Sequence, residues 1–293
     1  MGKKKAARVN AELNLREVLR VPAGRVDLAT HDARDKRGYP GAGKDDADVA
    51  MAALEPELSD LQERLYAGSK ADDAPTRNVL VVLQGLDTSG KGGVIRKAIG
   101  MVDPQGVQLK AFKAPTDEER AHHFLWRIKN ALPGNGMIGI FDRSHYEDVL
   151  VTRVNGWIEK RTWESRYDQI NEFEDELARA GTTIIKCWLN VSYDEQYARL
   201  EERLANPEKY WKYNPGDLDT RRQFQDFQVA ASEAIERTNT DAAPWFVVPA
   251  DRKWYRNWAV AQLLVEHLRA LNLGWPAAEF DVAEQQQALK ALR

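Results

Sequence analysis

A glycine-rich loop that ends in Gly-Lys carries the clearest chemical signal in this sequence. Residues 79–93 read VLVVLQGLDTSGKGG, so an apolar run leads straight into the loop, and helical sequence follows it. Gly85, Gly90 and Lys91 stand at the spacing of a phosphate-binding loop, in which backbone N–H groups and the lysine hold an anion. Ser89, inside the loop, is expected to contact the same anion. The sequence therefore predicts a protein that handles phosphate groups.

The metal that usually accompanies phosphate chemistry needs unusual ligands here, because Gly92 follows the lysine in place of the common Ser or Thr. Gly92 is thus expected to serve the phosphate through its backbone alone. Asp87 in the loop and Asp142 at the end of the apolar run 137–141 are the candidate ligands. Parallel strands end at one edge of a sheet, so both carboxylates are expected on one Mg²⁺, for which Mn²⁺ is a substitute. Alone, each residue is equally explained as a turn former or a helix cap.

Composition limits the possible settings of this chemistry. The chain has 293 residues, which is enough for one large α/β domain. Its net charge of −3 gives it no general attraction for nucleic acid or anionic lipid. The single cysteine, Cys187, has no disulfide partner, which favours a reducing, cytoplasmic location. No apolar stretch approaches membrane-spanning length, and the basic start MGKKKAARVN lacks the apolar core of a secretory signal. We expect no nucleic-acid partner and no membrane association. The basic start is interpreted as a frayed tail, with binding to an acidic partner as the alternative.

The alternation of helical and strand-like segments predicts an α/β fold with a mainly parallel sheet and helices on both faces. After the strand that precedes the loop, short strands are expected at 107–113, 137–141, 182–189 and 245–249. Before that strand, residues 45–67 repeat apolar side chains at helical spacing, namely Val49, Leu54, Leu58, Leu61 and Leu65. Three regions are predicted: an N-terminal arm at 1–44, a single α/β domain with the phosphate-binding loop at 45–275, and a C-terminal tail at 276–293.

The segment from about 203 to 225 interrupts this alternation and is predicted to form a helical lid. It is rich in Pro, Gly, Asn and charge, and it lies between two helical segments. Arg203 and Lys212 are expected to neutralise phosphate charge from this lid. The other lid cations, Lys209, Arg221 and Arg222, are better explained as a solvated surface.

Residues around the second carboxylate have two interpretations each. Arg143 directly follows Asp142 and is expected near the phosphates, with a helix-capping or surface residue as the alternative. His145 is interpreted as a hydrogen-bonding scaffold residue. Glu147 is explained equally well by the preference of a first helical turn for acids. The tryptophans are interpreted as core or lid packing and not as base-stacking platforms, namely Trp126, Trp163, Trp188, Trp211 and Trp245.

With these motifs in place, the chain resembles the family-2 polyphosphate kinases from roughly residue 45 to 271. The resemblance is carried by GLDTSGKGG, KAFKAPT, FLWRI, FDRSHYEDVL, YWKYNPGDLD and RTNTDAAPWFVVPADRKWYRNWAV. It implies a P-loop kinase fold similar to thymidylate kinase, inorganic polyphosphate as phosphoryl donor and AMP, ADP or ATP as nucleotide partner. Guanine nucleotides stay open as further partners. Members of this family commonly assemble as homodimers or homotetramers.

The resemblance also implies roles for individual residues. It places Asp87 and Asp142 on Mg²⁺, Lys91 and Arg143 on phosphates, and Arg203 with Lys212 on the lid. The segment FDRSHYED is similar to that of the subgroup accepting both AMP and ADP, in which Glu147 replaces an Asn. Similar sequences often read HDFLWR where this chain has His122-His123-Phe124, so that position receives no role.

Phosphoryl transfer from a linear polymer is chemically consistent with these residues. It needs a cationic groove, a metal and in-line placement of the acceptor, with little covalent work for the protein. Lys113 and Arg127 are candidates to line the groove. Two other functions stay open: an ATP-dependent nucleoside or nucleotide monophosphate kinase, and a non-catalytic P-loop regulator. The identity of the phosphoryl donor distinguishes an ATP-dependent kinase from a polyphosphate kinase. Absence of transfer from every donor would indicate a regulator.

Overall fold

A five-stranded parallel sheet organises the part of the chain that the computed structural model describes, residues 14–71 and 74–293. The strand order is β2-β3-β1-β4-β5, with β1 at the centre between β3 and β4. The strands are β1 (Asn78–Gln84), β2 (Val107–Ala111), β3 (Ile138–Asp142), β4 (Thr182–Asn190) and β5 (Trp245–Pro249). The central strand, NVLVVLQ, is buried along its whole length, as expected for a strand covered on both faces.

Helices cover this sheet in layers. The α-helices of the described part are α1 (Leu15–Leu19), α2 (Ala47–Gly68), α3 (Lys91–Lys97), α4 (Asp117–Ala121), α5 (Trp126–Lys129), α6 (Glu147–Val154), α7 (Lys160–Arg179), α8 (Tyr193–Ala205), α9 (Asp217–Arg222), α10 (Phe224–Thr238), α11 (Lys253–Ala270) and α12 (Val282–Lys290). Helix α11 packs against α2 and α3, whereas α6, α7 and α10 pack against one another. The predicted α/β fold with a mainly parallel sheet is confirmed.

The topology fixes where a ligand can bind. β3 and β4 flank β1 on opposite sides, so the strand order reverses at β1. Open α/β sheets bind their ligands beyond the carboxyl ends of the strands at such a point. Residues 85–90 follow β1 at this edge, and Asp142 ends β3 beside Leu83 of β1. The sheet thus brings the two sequence motifs together.

Two sequence expectations about packing need correction. Val49 was expected on the core face of α2, but it lies in the first turn of that helix with 72% of its surface exposed. The buried face of α2 is instead formed by Leu54, Leu58 and Leu65, which join the main core. Strand β2 was expected to reach residue 113 but ends at Ala111, because it is an edge strand whose pairing with β3 stops there.

Residues 14–44 lie against the sheet and α11. The Val21 amide donates to the Trp245 carbonyl at 2.9 Å, and the Leu15 amide donates to Glu266 Oε1 at 3.0 Å. The Tyr39 ring makes edge contacts with Trp254 and Trp258. The basic start of the chain lies outside the described residues.

The last helix, α12, does not join the core, because none of its residues is buried. The region limits drawn above from the sequence stay predictions. None of the helices in residues 14–71 and 74–293 is both long and apolar enough to cross a membrane.

Candidate active site

The Gly-Lys loop folds around its own lysine. Lys91 is buried, and its Nζ donates to the Gly85 carbonyl at 2.8 Å and to the Leu86 carbonyl at 3.5 Å. Gly85 has a φ of 147°, and a Cβ there would lie 2.8 Å from the Leu189 carbonyl oxygen, so a larger residue does not fit. Burial, followed by the charge of Arg143, lowers the pKa of Lys91. The Lys91 ammonium is therefore held by carbonyls of its own loop, and a phosphate bound in the loop would replace them as its partners.

The loop hydroxyls are oriented inward without hydrogen-bond partners among the described residues. Thr88 Oγ1 and Ser89 Oγ are both buried, and neither has a hydrogen-bond partner among these residues. Buried polar atoms are normally paired, so unpaired ones at a loop of this type point to a ligand that supplies the partner. Gly92, which follows the lysine, has nothing within 4 Å of a Cβ built on it. Space, backbone amides and hydroxyls are available at the loop, but Gly92 supplies no side-chain oxygen.

A turn after β3 points the guanidinium of Arg143 back at the loop. Arg143 adopts a left-handed conformation, φ 64°, which is uncommon for a residue with a side chain, and its amide donates to the Leu83 carbonyl at 3.1 Å. Its Nη2 donates to Asp87 Oδ1 at 2.8 Å. Burial opposes the charge of Arg143, but the carboxylates of Glu147 and Asp87 outweigh it and raise the pKa. The motifs from β1 and β3 therefore form one charged cluster.

Glu147, at the start of α6, belongs to the same cluster. Its Oε2 lies 3.9 Å from Arg143 Nε, and the side-chain amide of Gln84, oriented to donate, lies 3.0 Å from its Oε1. Burial raises the pKa of Glu147, while Arg143 and Lys91 act in the opposite direction. Glu147 is therefore a carboxylate held between the charges of Arg143 and Lys91.

The cavity next to this cluster has a volume of about 390 Å³, which suits a small organic ligand. Part of its lining is the charged cluster, with Gln84, Gly85, Asp87, Arg143 and Glu147. The other lining residues are apolar or neutral polar except for the acid Asp219, namely Leu86, Leu150, Val151, Asn155, Trp157, Trp188, Gly216, Asp219, Thr220, Gln223 and Phe227. Such a lining suits a ligand that combines a charged group with a weakly polar, partly aromatic body.

The predicted lid covers one side of that cavity. Arg203 at the end of α8 donates from Nη1 to the Lys212 carbonyl at 2.9 Å and to Asp217 Oδ2 at 3.1 Å. Burial, followed by the charge of Asp87, raises the pKa of Asp217, so this part of the lid lies near the loop. The Lys212 ammonium lies over the Trp211 ring, 4.9 Å from its centre. Arg203 is thus bound to the lid, and Lys212 does not line the cavity.

Two further predicted groove residues lie away from the cavity lining. Arg127 is nearly buried, with 6% of its side chain exposed, and donates to the Lys113 carbonyl at 2.9 Å and to Asp148 Oδ2 at 3.3 Å. Lys113 is exposed beyond the end of β2. Arg127 binds Asp148, which follows Glu147 in the first turn of α6, so this pair lies beside that turn without lining the cavity. Their role as groove residues stays a prediction.

Scaffold and aromatic residues gave mixed outcomes. His145 is fully buried and contacts Glu174 Oε1 at 3.1 Å, which confirms its interpretation as a scaffold residue. Trp211 was expected to pack, but 78% of its surface is exposed, because it lies on the outer side of the short helical turn Pro207–Lys212. Trp188 is buried as expected, yet it also lines the cavity.

Sequence reasoning missed several site residues. Trp157 lines the cavity and is 67% exposed, on a segment that received no role. Arg199 and Arg256 bind backbone carbonyls of the loop. Arg199 Nη1 donates to the Thr88 carbonyl at 2.8 Å, and Arg256 Nη1 donates to the Ser89 carbonyl at 3.0 Å. Arg256 lies within RKWYRNWAV, which was quoted only for its resemblance. Spacing along the chain gives no sign of such contacts, since these residues come from helices distant in sequence.

The strand order, the Gly-Lys loop and the adjoining cavity with its lid define a P-loop kinase. Comparison with known proteins identifies the family. The family model for polyphosphate kinase 2 matches residues 43–273, so the chain belongs to that family.

Relatives agree along most of the chain. An AMP/ADP-polyphosphate phosphotransferase of Meiothermus ruber is 46% identical over 258 residues, covering 88% of this chain and 94% of that protein. An ADP-polyphosphate phosphotransferase of Rhodopseudomonas palustris is 38% identical over 231 residues, covering 75% of this chain and 78% of that protein. The crystal structure of polyphosphate kinase 2 from Arthrobacter aurescens TC1 superposes with a TM-score of 0.91 at 49% identity, covering 95% and 97% of the two chains.

Proposed function

We propose that this protein transfers a phosphoryl group between inorganic polyphosphate and an adenine nucleotide, forming ADP from AMP and ATP from ADP in reversible steps. The observation that carries the proposal is the cavity. It is lined by Asp87 of the Gly-Lys loop and by Arg143, which donates a hydrogen bond to Asp87. The relatives named for AMP/ADP and ADP transfer support the same reaction. We propose a cytoplasmic homo-oligomer as its working form.

In this proposal, a divalent cation, Mg²⁺ or Mn²⁺, is held by Asp87 and Asp142. The residues fit such an ion. Asp87 spends one oxygen on Arg143, and no hydrogen bond occupies the Asp142 carboxylate among the described residues. No group of three or more His, Cys, Asp or Glu in that part of the chain could hold a metal alone. Mg²⁺ commonly uses one or two carboxylates and completes its shell with water and substrate phosphates. The bound ion would neutralise charge on the transferring oxygens.

The cations around the loop are proposed to bind and orient the phosphates. Lys91 would exchange its carbonyl partners for phosphate oxygens, and Arg143 would contact the transferring group from the opposite side. Arg203 retains Nε and Nη2 free of hydrogen bonds to described residues, so it can hold the lid and still contact an anion. An acceptor phosphate is itself nucleophilic, so the protein needs positioning more than a general base.

The cavity lining gives a proposal for the acceptor. The nucleotide's phosphate would lie at Arg143, and its base would lie near Leu150, Trp157 and Phe227, which offer apolar and aromatic contact. Hydrogen bonds to the base would come from the neutral polar lining residues Asn155, Thr220 and Gln223. The polymer would then approach the loop from outside the cavity, where Lys113 and Arg127 are the proposed groove residues.

Use of AMP is proposed to depend on Glu147. This carboxylate lies between Arg143 and Gln84 and lines the same cavity as Arg143. Glu147→Asn is expected to lower kcat/KM for AMP more than for ADP. Equal losses with both acceptors would identify Glu147 as a helix-terminal acid only.

The test of the proposed function uses the whole protein with Mg²⁺ and either AMP or ADP. Long-chain polyphosphate is the donor in one arm and ATP in a second, and nucleotides are resolved by chromatography. We expect ATP from ADP, and ADP followed by ATP from AMP, only with polyphosphate as donor. Transfer from ATP to AMP without polyphosphate would identify a nucleotide monophosphate kinase, and tight nucleotide binding without transfer would identify a regulator.

A further inference from the structure

Arg256 is a buried cation without a matching anion. It lies in α11 with 3% of its surface exposed. Its Nη1 donates to the Ser89 carbonyl at 3.0 Å, and its Nε and Nη2 donate to Asn257 Oδ1 at 3.2 and 2.9 Å. These acceptors are neutral, and no carboxylate in the described part of the chain forms an ion pair with Arg256. An uncompensated charge of this kind is costly to bury.

The neighbouring charges do not remove the imbalance. Arg199 lies close by and donates to the Thr88 and Ser89 carbonyls, while its Nε binds Glu195 at 2.8 Å. Glu195 pairs with Arg199, so of these two arginines only Arg256 has no carboxylate partner. Burial and then the charge of Arg199 lower the pKa of Arg256 to about 9.

The loop is built so that this charge can approach it closely. A Cβ at Gly90 would lie 1.8 Å from Arg256 Nη1, and a Cβ at Gly93 would lie 2.6 Å from Nη2. Both positions must therefore be glycine while the guanidinium is there, which gives a physical reason for the first and last glycines of the GKGG segment, Gly90 and Gly93. No side chain separates the charge from the loop backbone.

We infer that Arg256 is an electrostatic positioning residue of the loop, and that the phosphate bound by the loop is its missing counter-charge. The inference rests on the proposed function, because it requires the loop to bind phosphate. Arg256 need not contact the ligand. Two unit charges about 10 Å apart at an effective dielectric of about 20 attract enough to change affinity by roughly tenfold.

The test compares Arg256→Gln, which keeps an amide donor but removes the charge, with Arg256→Lys, which keeps a charge. Tripolyphosphate is the probe, and its affinity is measured by calorimetry at about pH 6.5, where lysine is ordinarily protonated. We expect the glutamine variant to bind about tenfold more weakly and the lysine variant within about threefold of the unchanged protein. Arg252→Gln is the matched control, since Arg252 lies one turn earlier, is more exposed and donates to the Arg34 carbonyl.

Stability gives an independent readout. Without ligand, Arg256→Gln is expected to be no less stable in urea than the unchanged protein, because an unpaired charge has been removed. Unchanged tripolyphosphate affinity in Arg256→Gln, equal losses in both variants, or unfolding of Arg256→Gln without ligand would each overturn the inference in favour of a purely structural brace. Absence of binding by the unchanged protein would instead overturn the proposed function, and the inference with it.

Discussion

Removing one partner of the buried Glu174–Lys186 pair is expected to destabilise the fold far more than removing both. Lys186 on β4 is fully buried, and its Nζ donates to Glu174 Oε2 at 2.5 Å, to the Thr238 carbonyl at 2.7 Å and to Tyr146 Oη at 2.9 Å. Glu174 also contacts His145. Burial lowers the pKa of Lys186, and the charge of Glu174 opposes that effect.

The size of the effect follows from the charge that is left behind. In Glu174→Gln, Lys186 loses its anion, and breaking a buried pair in this way costs about 3–5 kcal/mol. The lysine can escape by losing its proton. Holding a group with an ordinary pKa of about 10.4 neutral at pH 7 costs about 4.6 kcal/mol at 1.36 kcal/mol per unit, which sets an upper limit. The double variant Glu174→Gln/Lys186→Met is expected to lose only about 1–2 kcal/mol, because no unpaired charge remains.

The pH dependence identifies the cause. In Glu174→Gln the unfolded chain binds one proton more than the folded protein between about pH 7 and 10, so unfolding free energy should rise with pH by about 1.4 kcal/mol per unit relative to the unchanged protein. Urea unfolding followed by circular dichroism at pH 7, 8 and 9 measures this for both single variants, with Lys186→Met as the control that lacks the titrating group. Additive effects in the cycle, or no difference in slope, would refute the reasoning.

Three further predictions concern the proposed site. Lys91→Ala is expected to lower the transfer rate by roughly a hundredfold or more with unchanged circular dichroism, and a rate near that of the unchanged protein would contradict the assignment of the loop. Asp87→Asn and Asp142→Asn are each expected to cost orders of magnitude in rate, with partial recovery in excess Mg²⁺ or Mn²⁺; full activity of Asp87→Asn at limiting Mg²⁺ would leave Asp87 as a turn residue. Asp217→Asn removes the carboxylate that competes with phosphate for Arg203, so KM for polyphosphate should fall a few-fold, whereas a rise would show that Asp217 orients Arg203.

The sequence by itself determined the architecture and the location of the site. Apolar runs and their spacing are local signals, and in a parallel sheet they have one efficient arrangement, so the strands and the edge carrying Asp87 and Asp142 were predicted correctly. The Gly-Lys loop is equally local, because its conformation depends on glycines within a few residues. The resemblance then gave the family, and the family model confirms it.

Only the tertiary structure decided which charges pair and which remain uncompensated. Arg127 and Arg143 were both predicted to contact phosphate, yet Arg127 is bound to Asp148 and Arg143 faces the loop. Arg256 and Trp157 gave no local signal at all. Pairing and desolvation are set by neighbours far apart along the chain, and they depend on distances of a few ångströms that residue order does not encode. The kind of chemistry was therefore readable from residue types, whereas its electrostatics required the folded chain.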